Sequence, residues 1–354
     1  MHRRRPLVAT VLVLATLLLV ACGSDGGSDG KASSGSSTTA AEKPTTLRLG
    51  YFPNVTHATA IVGVEKGIFQ EHLGNDTLKV STFNAGSEAS TALLAGAIDA
   101  SYIGPNPAIS AWAKSKAIKI VSGATSGGAA LVVKPAITGA GQLKGKKLAT
   151  PQLGNTQDVA LRSWLDEQGL KTDTNGGGDV SIIPQDNSRT LDAFKQGTID
   201  GAWVPEPWAT RLVQEGGGKV LVNEKDLWPD GQFVTTHLIV TTKFLDAHPT
   251  TIKHLLEGQV EANQWVNDNT DEAQAVVNAG IEKITGKKLG DAVIKAAWAN
   301  LEFTNDPIAS SLKTSADHAI AVGLLEKVDL NGIYDLDPLN QILAAAGEEK
   351  VQAG

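Results

Sequence analysis

The sequence predicts an α/β protein of two lobes, each a doubly wound, mostly parallel sheet with flanking helices. Three observations predict it. Short β-rich runs alternate with amphipathic helical patterns along most of the chain. Glycines stand just past those helical patterns, where a left-handed closing residue is cheapest. One strand-and-helix unit recurs at an offset of 101 residues. The length of 354 residues fits two domains at roughly 150 residues each.

The chain opens with three arginines in Met1–Arg5 and an apolar run of 15 residues from Leu7 to Ala21. Crossing a bilayer takes about 20 apolar residues, so residues 1–21 read as an export signal and not as a permanent span. Leu19-Val20-Ala21-Cys22 resembles the lipobox of a bacterial lipoprotein signal. That resemblance implies cleavage before Cys22, lipid on its sulfur, and attachment to the extracytoplasmic face of the cell membrane. Residues 22–45 are rich in Gly, Ser and Thr and predict a flexible tether. Ser28 sits there in a Gly-x-Ser-x-Gly pattern, but a hydrolase nucleophile needs a strand-to-helix turn that such a tether does not offer.

The single cysteine excludes an intrachain disulfide and a cluster of thiolates. With 31 Lys and Arg against 38 Asp and Glu, the net charge is -7, and it becomes -10 when the three signal arginines are removed. An acidic chain gives no electrostatic reason to expect nucleic acid as a partner.

After the tether the elements follow in order. Strand patterns at 47–51, 78–83 and 100–103 precede helical patterns at 57–66, 87–95 and 107–114. The rhythm resumes with strands at 147–150, 180–184 and 202–204 and helices at 156–168, 188–196 and 208–214. Gly96-Ala-Ile-Asp-Ala-Ser-Tyr-Ile103 aligns with Gly197-Thr-Ile-Asp-Gly-Ala-Trp-Val204, each followed by a proline-containing loop. Two similarly built units would face each other across a shared cleft. The Val/Thr/Leu-rich runs 129–134 and 236–242 are read as the crossing segments of a hinge. The expected lobes are then 46–133 with 240–354, and 134–239. Helix 250–269, with Ile252, Leu255, Leu256 and Val260 on one face, returns to the first lobe.

In open parallel sheets, ligands sit beyond the carboxyl ends of the strands. The loops there, 52–57, 104–106, 125–128, 152–156, 203–208 and 235–237, are rich in hydroxyls, amides and glycines. Several open into helices, whose free amides and positive dipole ends suit a small anion. Asn155 and Thr156 also suit helix capping. The seven histidines show no metal-pair spacing, so no metal and no cofactor is expected. His57 and His237 fall near the loops, each with a structural role as the simpler reading. Trp203 and Trp208 are candidate pocket walls, whereas Trp112, Trp164 and Trp298 sit in helical patterns and read as core.

Leu47-Arg-Leu-Gly-Tyr51, Val64-Glu-Lys-Gly-Ile-Phe69, Leu94-Ala-Gly-Ala-Ile-Asp99, Leu143-Lys-Gly-Lys-Lys-Leu148 and Gly197-Thr-Ile-Asp200 resemble, in that order, a known family. It is that of the periplasmic type II binding proteins of ABC transporters for aliphatic sulfonates, taurine and nitrate, and the resemblance runs from about residue 46 to 320. It implies a non-enzymatic, monomeric solute-binding component that passes a small anion from an interlobe cleft to a permease and its ATPase. Carried over by position, the ligand residues are Asn54, Thr56, His57, Gly104, Asn106, Ser126, Gly127, Gly128, Asn155, Thr156, Gln157, Trp203 and Glu206. Glu206 stands in Val-Pro-Glu-Pro-Trp where the family often shows Trp-Asp-Pro. An unpaired carboxylate there repels an anion, so either a ligand amine or a cation of the opposing lobe is expected to meet it. Relatives bind bicarbonate, thiamine pyrimidine precursors or aromatic acids. A pyrimidine-synthesising enzyme of this fold and a sensor reporting to a membrane receptor remain the alternatives.

Overall fold

The expected alternation is realised in chain order in a computed structural model that describes residues 44–353. The export signal, Cys22 and the tether up to residue 43 lie outside the described residues. β1 (Thr46–Tyr51) leads through a 3-10 turn (Val55–His57) to α1 (Ala58–Glu65) and α2 (Ile68–Leu73). β2 (Thr77–Thr82), α3 (Gly86–Leu94), β3 (Ala100–Ile103) and α4 (Pro105–Ser115) follow. β4 (Ile118–Gly127) and β5 (Ala129–Val133) precede β6 (Lys147–Thr150), α5 (Thr156–Glu167), β7 (Ser181–Pro184), α6 (Asn187–Gln196), β8 (Gly201–Pro205), α7 (Trp208–Gln214) and β9 (Lys219–Asn223). β10 (Val234–Thr241) opens the C-terminal part, with α8 (Thr242–Ala247), α9 (Pro249–Asp268), α10 (Thr270–Thr285), α11 (Asp291–Trp298), β11 (Leu301–Phe303), α12 (Ala309–Ala321) and α13 (Asp337–Ala346).

The strands form two sheets, β11-β4-β10-β3-β1-β2 and β7-β6-β8-β5-β9. Each holds a parallel trio, β2-β1-β3 in one and β7-β6-β8 in the other. The remaining pairings, β10 with β3 and β4, β11 with β4, and β5 with β8 and β9, are antiparallel. The expected two-lobed α/β fold is realised with one inserted strand per sheet: β4 and β9 run in the direction of their trios, while β10, between β3 and β4, and β5, between β8 and β9, run against them, as does β11 at the edge.

The division between sheets differs from the expected one. β5, expected at the end of the first lobe, pairs with β8 and β9 in the second sheet, while β10 pairs with β3 and β4 in the first. The chain changes sheet at Gly127-Gly128 and again between β9 and β10. Both glycines have positive φ, 78° and 73°. A Cβ on Gly128 would lie 2.1 Å from Leu301 Cδ2, so neither the dihedral nor the space suits another residue.

The 101-residue repeat has a structural explanation. Asp99 accepts the Arg48 amide at 2.9 Å and its own amide reaches the Arg48 carbonyl at 2.8 Å. Asp200 does the same with Lys147, at 2.9 and 2.8 Å. In each unit the aspartate clips the third strand of the trio onto the start of the first.

Period-2 alternation places apolar side chains on both faces of the second sheet. Leu131, Val133 and Trp203 pack with Leu148, Leu161 and Trp164, while Val132, Ala202 and Val204 pack with Phe194 and Leu212. In the first sheet, Leu47 and Leu49 meet Phe69 and the predicted stripe of α9, whose Ile252, Leu255, Leu256 and Val260 are all buried.

Candidate functional site

All six parallel strands end at one small cavity of about 30 Å³ between the sheets. From the first sheet come Asn54, Thr56 and His57 after β1, Asn84 and Ala85 after β2, and Gly104 after β3. From the second come Pro151 and Asn155 to Gln157 after β6, Asn187 after β7 and Pro205 after β8. Thr235 and Thr236, at the start of β10, complete the wall.

The loop before α5 is organised by a carboxylate that never reaches the cavity. Asp158 is fully buried and accepts from Thr150 Oγ1 at 2.8 Å, from the Gly154 amide at 2.9 Å and from Arg162 Nε at 3.0 Å. This clamp sets residues 151–155 and fixes the start of the helix. Asn155 is the cap: its Oδ1 accepts from the Gln157 amide at 3.4 Å, and its carbonyl takes the amides of Asp158 and Val159 at 3.0 Å. Capping is therefore done by Asn155, and Thr156 keeps both its amide and its hydroxyl for something else. Thr156 Oγ1 is buried with no hydrogen-bond partner. A Cβ on Gly104 would lie 2.5 Å from that oxygen, so only glycine lets the two halves of the wall approach here.

The start of α6 is similarly open. Thr190 donates its amide to the Asp186 carbonyl at 2.9 Å, while the amides of residues 187–189 have no intrahelical acceptor. Asn187 Oδ1 is buried and unpartnered.

His57 is the one titratable residue in the wall among those described. Burial pushes its pKa down to about 3, so the ring is neutral near pH 7. Its Nδ1 faces the Phe52 amide at 3.4 Å, which makes Nδ1 the acceptor and leaves Nε2–H as an unpartnered donor. The Thr56 carbonyl is held by Thr125 Oγ1 at 2.7 Å and Thr236 Oγ1 at 3.0 Å, fixing the backbone that carries the ring. Among the described residues, no Lys, Arg, Asp or Glu lines the cavity. Its chemistry is that of helix N-termini, amides, hydroxyls and one neutral imidazole, which is the chemistry of a small anion site.

Seven of the thirteen residues expected from the sequence meet here: Asn54, Thr56, His57, Gly104, Asn155, Thr156 and Gln157. The other six are placed elsewhere. Asn106 is buried and donates to the Ser315 carbonyl at 3.0 Å. Ser126 faces Gln232 and the Phe233 amide, at 3.5 and 3.4 Å, and Gly127 and Gly128 form the sheet crossover. Trp203 is a core residue whose Nε1 donates to Glu224 at 2.6 Å. Glu206 does not line the cavity and accepts from the Thr210 amide and hydroxyl and from Asn300 Nδ2. Neither a ligand amine nor a cation of the opposing half is needed to hold it. His237 is buried in β10 with Nε2 at 3.1 Å from the Pro307 carbonyl. The sequence reading missed Asn84 and Asn187; the signal was there, since both stand at strand ends of the repeated unit.

A family model matches residues 40–281 of this sequence, under the description NMT1-like family. The chain belongs to the NMT1-like family. A protein of Bacillus subtilis (strain 168), whose name assigns it provisionally to aliphatic sulfonate binding, is 26% identical over 353 residues, covering 97% of this chain and 98% of that one. Among solved structures, the alkanesulfonate-binding protein of Xanthomonas axonopodis pv. citri, bound to MOPS, superposes with a TM-score of 0.68 at 19% identity over 81% of this chain and 96% of that one. The periplasmic nitrate-binding protein of Synechocystis PCC 6803 gives 0.70 at 19% identity over 86% and 89%. This NMT1-like chain thus has the two-sheet fold of periplasmic binding proteins, and its six-strand cavity lies at the junction of the two sheets.

Proposed function

We propose that this chain is the extracytoplasmic solute-binding component of an ABC importer. It captures a small oxyanion of the sulfonate, taurine or nitrate type between the two lobes and delivers it to a permease driven by an ATPase. Lipid on Cys22 and the following tether hold it at the outer face of the membrane. The lobes correspond to the two sheets, and closing them brings the α5 and α6 N-termini to the loops after β1 and β3. The observation that carries this reading is the cavity wall: Thr156 Oγ1, His57 Nε2 and the first-turn amides are donors without acceptors, and no formal charge competes with them. The same wall supports binding without turnover, because it pairs no nucleophile with a base.

A thermal-shift panel tests it. Ligand at 1,000 times its dissociation constant stabilises the native state by about 4.1 kcal/mol, and roughly 2 to 4 °C accompanies each kcal/mol in chains of 150–250 residues. Methanesulfonate, taurine, nitrate or bicarbonate should give such a shift and be recovered unchanged. No shift with any of them removes the oxyanion reading, and a changed ligand makes the chain an enzyme.

A further inference from the structure

Asn54 and Trp208 meet across the two sheets. Asn54 follows β1 of the first sheet, and Trp208 opens α7, which follows β8 of the second. Trp208 Nε1 donates to Asn54 Oδ1 at 3.0 Å. An indole nitrogen can only donate and an amide oxygen can only accept, so this bond decides which end of the Asn54 amide faces the tryptophan. Asn54 stands in the wall of the small cavity, whereas Trp208 lies outside that wall, in a wider groove of about 480 Å³ that Asn54 also borders. With Oδ1 turned to the groove, Nδ2 is the end left for the cavity. Among the described residues Nδ2 has no hydrogen-bond partner. The reversed amide would present oxygen lone pairs to an anion.

Both partners are held in place. The Asn54 backbone amide donates to the Phe52 carbonyl at 2.8 Å, and its carbonyl accepts the His57 amide at 3.0 Å. The Arg211 guanidinium lies over the Trp208 ring at 4.7 Å, and Glu215 grips that guanidinium through Nε at 2.8 Å and Nη2 at 3.1 Å. Arg211 is absent from the wall of the small cavity and its charge is paired with Glu215, so it braces the tryptophan and does not meet the anion. We propose that Asn54 Nδ2 is a donor to the bound anion and that Trp208 is its positioning residue, presented from the opposite sheet so that the amide is turned correctly only when the two halves are together. Capture and closure are then coupled through one amide. The inference rests on the oxyanion reading of the small cavity and adds this residue pair to it.

Isothermal titration with ethanesulfonate, taurine, nitrate and bicarbonate tests it on the wild type, Asn54→Ala, Trp208→Phe and the double variant. Asn54→Ala should weaken binding by about ten- to a hundred-fold, the scale of one bond to an anion. Trp208→Phe keeps an aromatic ring and removes the donor, and should weaken it by about three- to thirty-fold. Added to Asn54→Ala it should cost less than about two-fold more, because it acts through that amide. A simple latch would couple the two residues as well, so NMR of the isotope-labelled chain supplies the separating readout. The Asn54 side-chain NH2 pair, assigned by its absence from Asn54→Ala, should shift when the anion is added to the wild type and much less in Trp208→Phe. If Trp208→Phe fails to fold, Asn54→Asp serves: its carboxylate still accepts from Trp208 but offers the anion no donor, so binding should fall by about a hundred-fold or more. An unmoved NH2 pair in the anion-bound wild type, additive losses in the double variant, or undiminished affinity in folded Trp208→Phe or Asn54→Asp overturns the proposal and leaves the oxyanion reading standing. Failure of all four anions to bind the wild type overturns the oxyanion reading itself.

Discussion

Asn300 Nδ2 donates to Glu206 Oε1 at 2.7 Å, joining the segment between α11 and β11 to the loop after β8. The first segment leads into a strand of the first sheet and the second leaves a strand of the other, so the bond spans the two halves. Glu206 also accepts the Thr210 amide and hydroxyl at 3.0 and 2.9 Å. Burial nonetheless raises its pKa, outweighing those three donors.

Asn300→Ala removes the cross-sheet donor. One hydrogen bond to a charged group is worth about 1.5 to 3 kcal/mol, so affinity should fall by about ten-fold or more through loss of the closed arrangement. Titrations with taurine and ethanesulfonate should show the same factor. A loss confined to taurine would place Glu206 on the ligand's amine.

Thr156→Ala separates binding from stability. The hydroxyl has no partner in the protein, so the melting temperature without ligand should hardly move. Affinity for a sulfonate should weaken by roughly ten- to a hundred-fold, again from about 1.5 to 3 kcal/mol for a bond to an anion. Equal affinity in a folded variant would remove Thr156 from the site.

The neutrality of His57 predicts flat binding. With a pKa near 3 it carries no charge between pH 5 and 8, and a sulfonate is ionised throughout, so this residue adds no pH dependence to affinity. Affinity that drops as pH rises through 6.5 would show an imidazolium at work. For stability the sign is opposite to that of a paired histidine. The unfolded ring binds its proton near 6.5 and the folded one near 3, so acidification below pH 6.5 destabilises the fold. His237, pushed down to about 4, adds to this, and chemical denaturation at pH 5 and 7 should show it.

Glu224 works the other way. It is buried and accepts from Trp203 Nε1; burial pushes its pKa up to about 7 from 4.5, outweighing the indole donors of Trp203 and Trp228. The folded state therefore holds the proton longer. This group's contribution is fully present below pH 4.5 and is lost as pH rises to about 7, by on the order of 3 kcal/mol. The difference in unfolding free energy between the wild type and Glu224→Gln, followed from pH 4.5 to 8, should trace that window. A constant difference would mean that Glu224 does not titrate there.

The sequence by itself determined the six strands of the two trios, the helices between them, the repeat and most of the loops that meet at the cavity. These are local properties: alternation of period 2 places Leu131 and Val133 opposite Val132, period 3.6 places Ile252, Leu255 and Leu256 on one face, and strand-end loops in parallel sheets converge by topology. Only the tertiary structure decided which polar groups in those loops remain open. Asn106 is taken by Ser315, 209 residues away, Glu206 by Asn300, and Trp203 by Glu224, whereas Thr156 and Asn187 keep unpartnered oxygens. It also decided where the chain changes sheet, because pairing β5 with β8 and β10 with β3 depends on neighbours distant in sequence. A side chain's type is local, but whether its donor is free depends on what the rest of the fold brings within 3 Å or so of it, and no pattern along the chain records that.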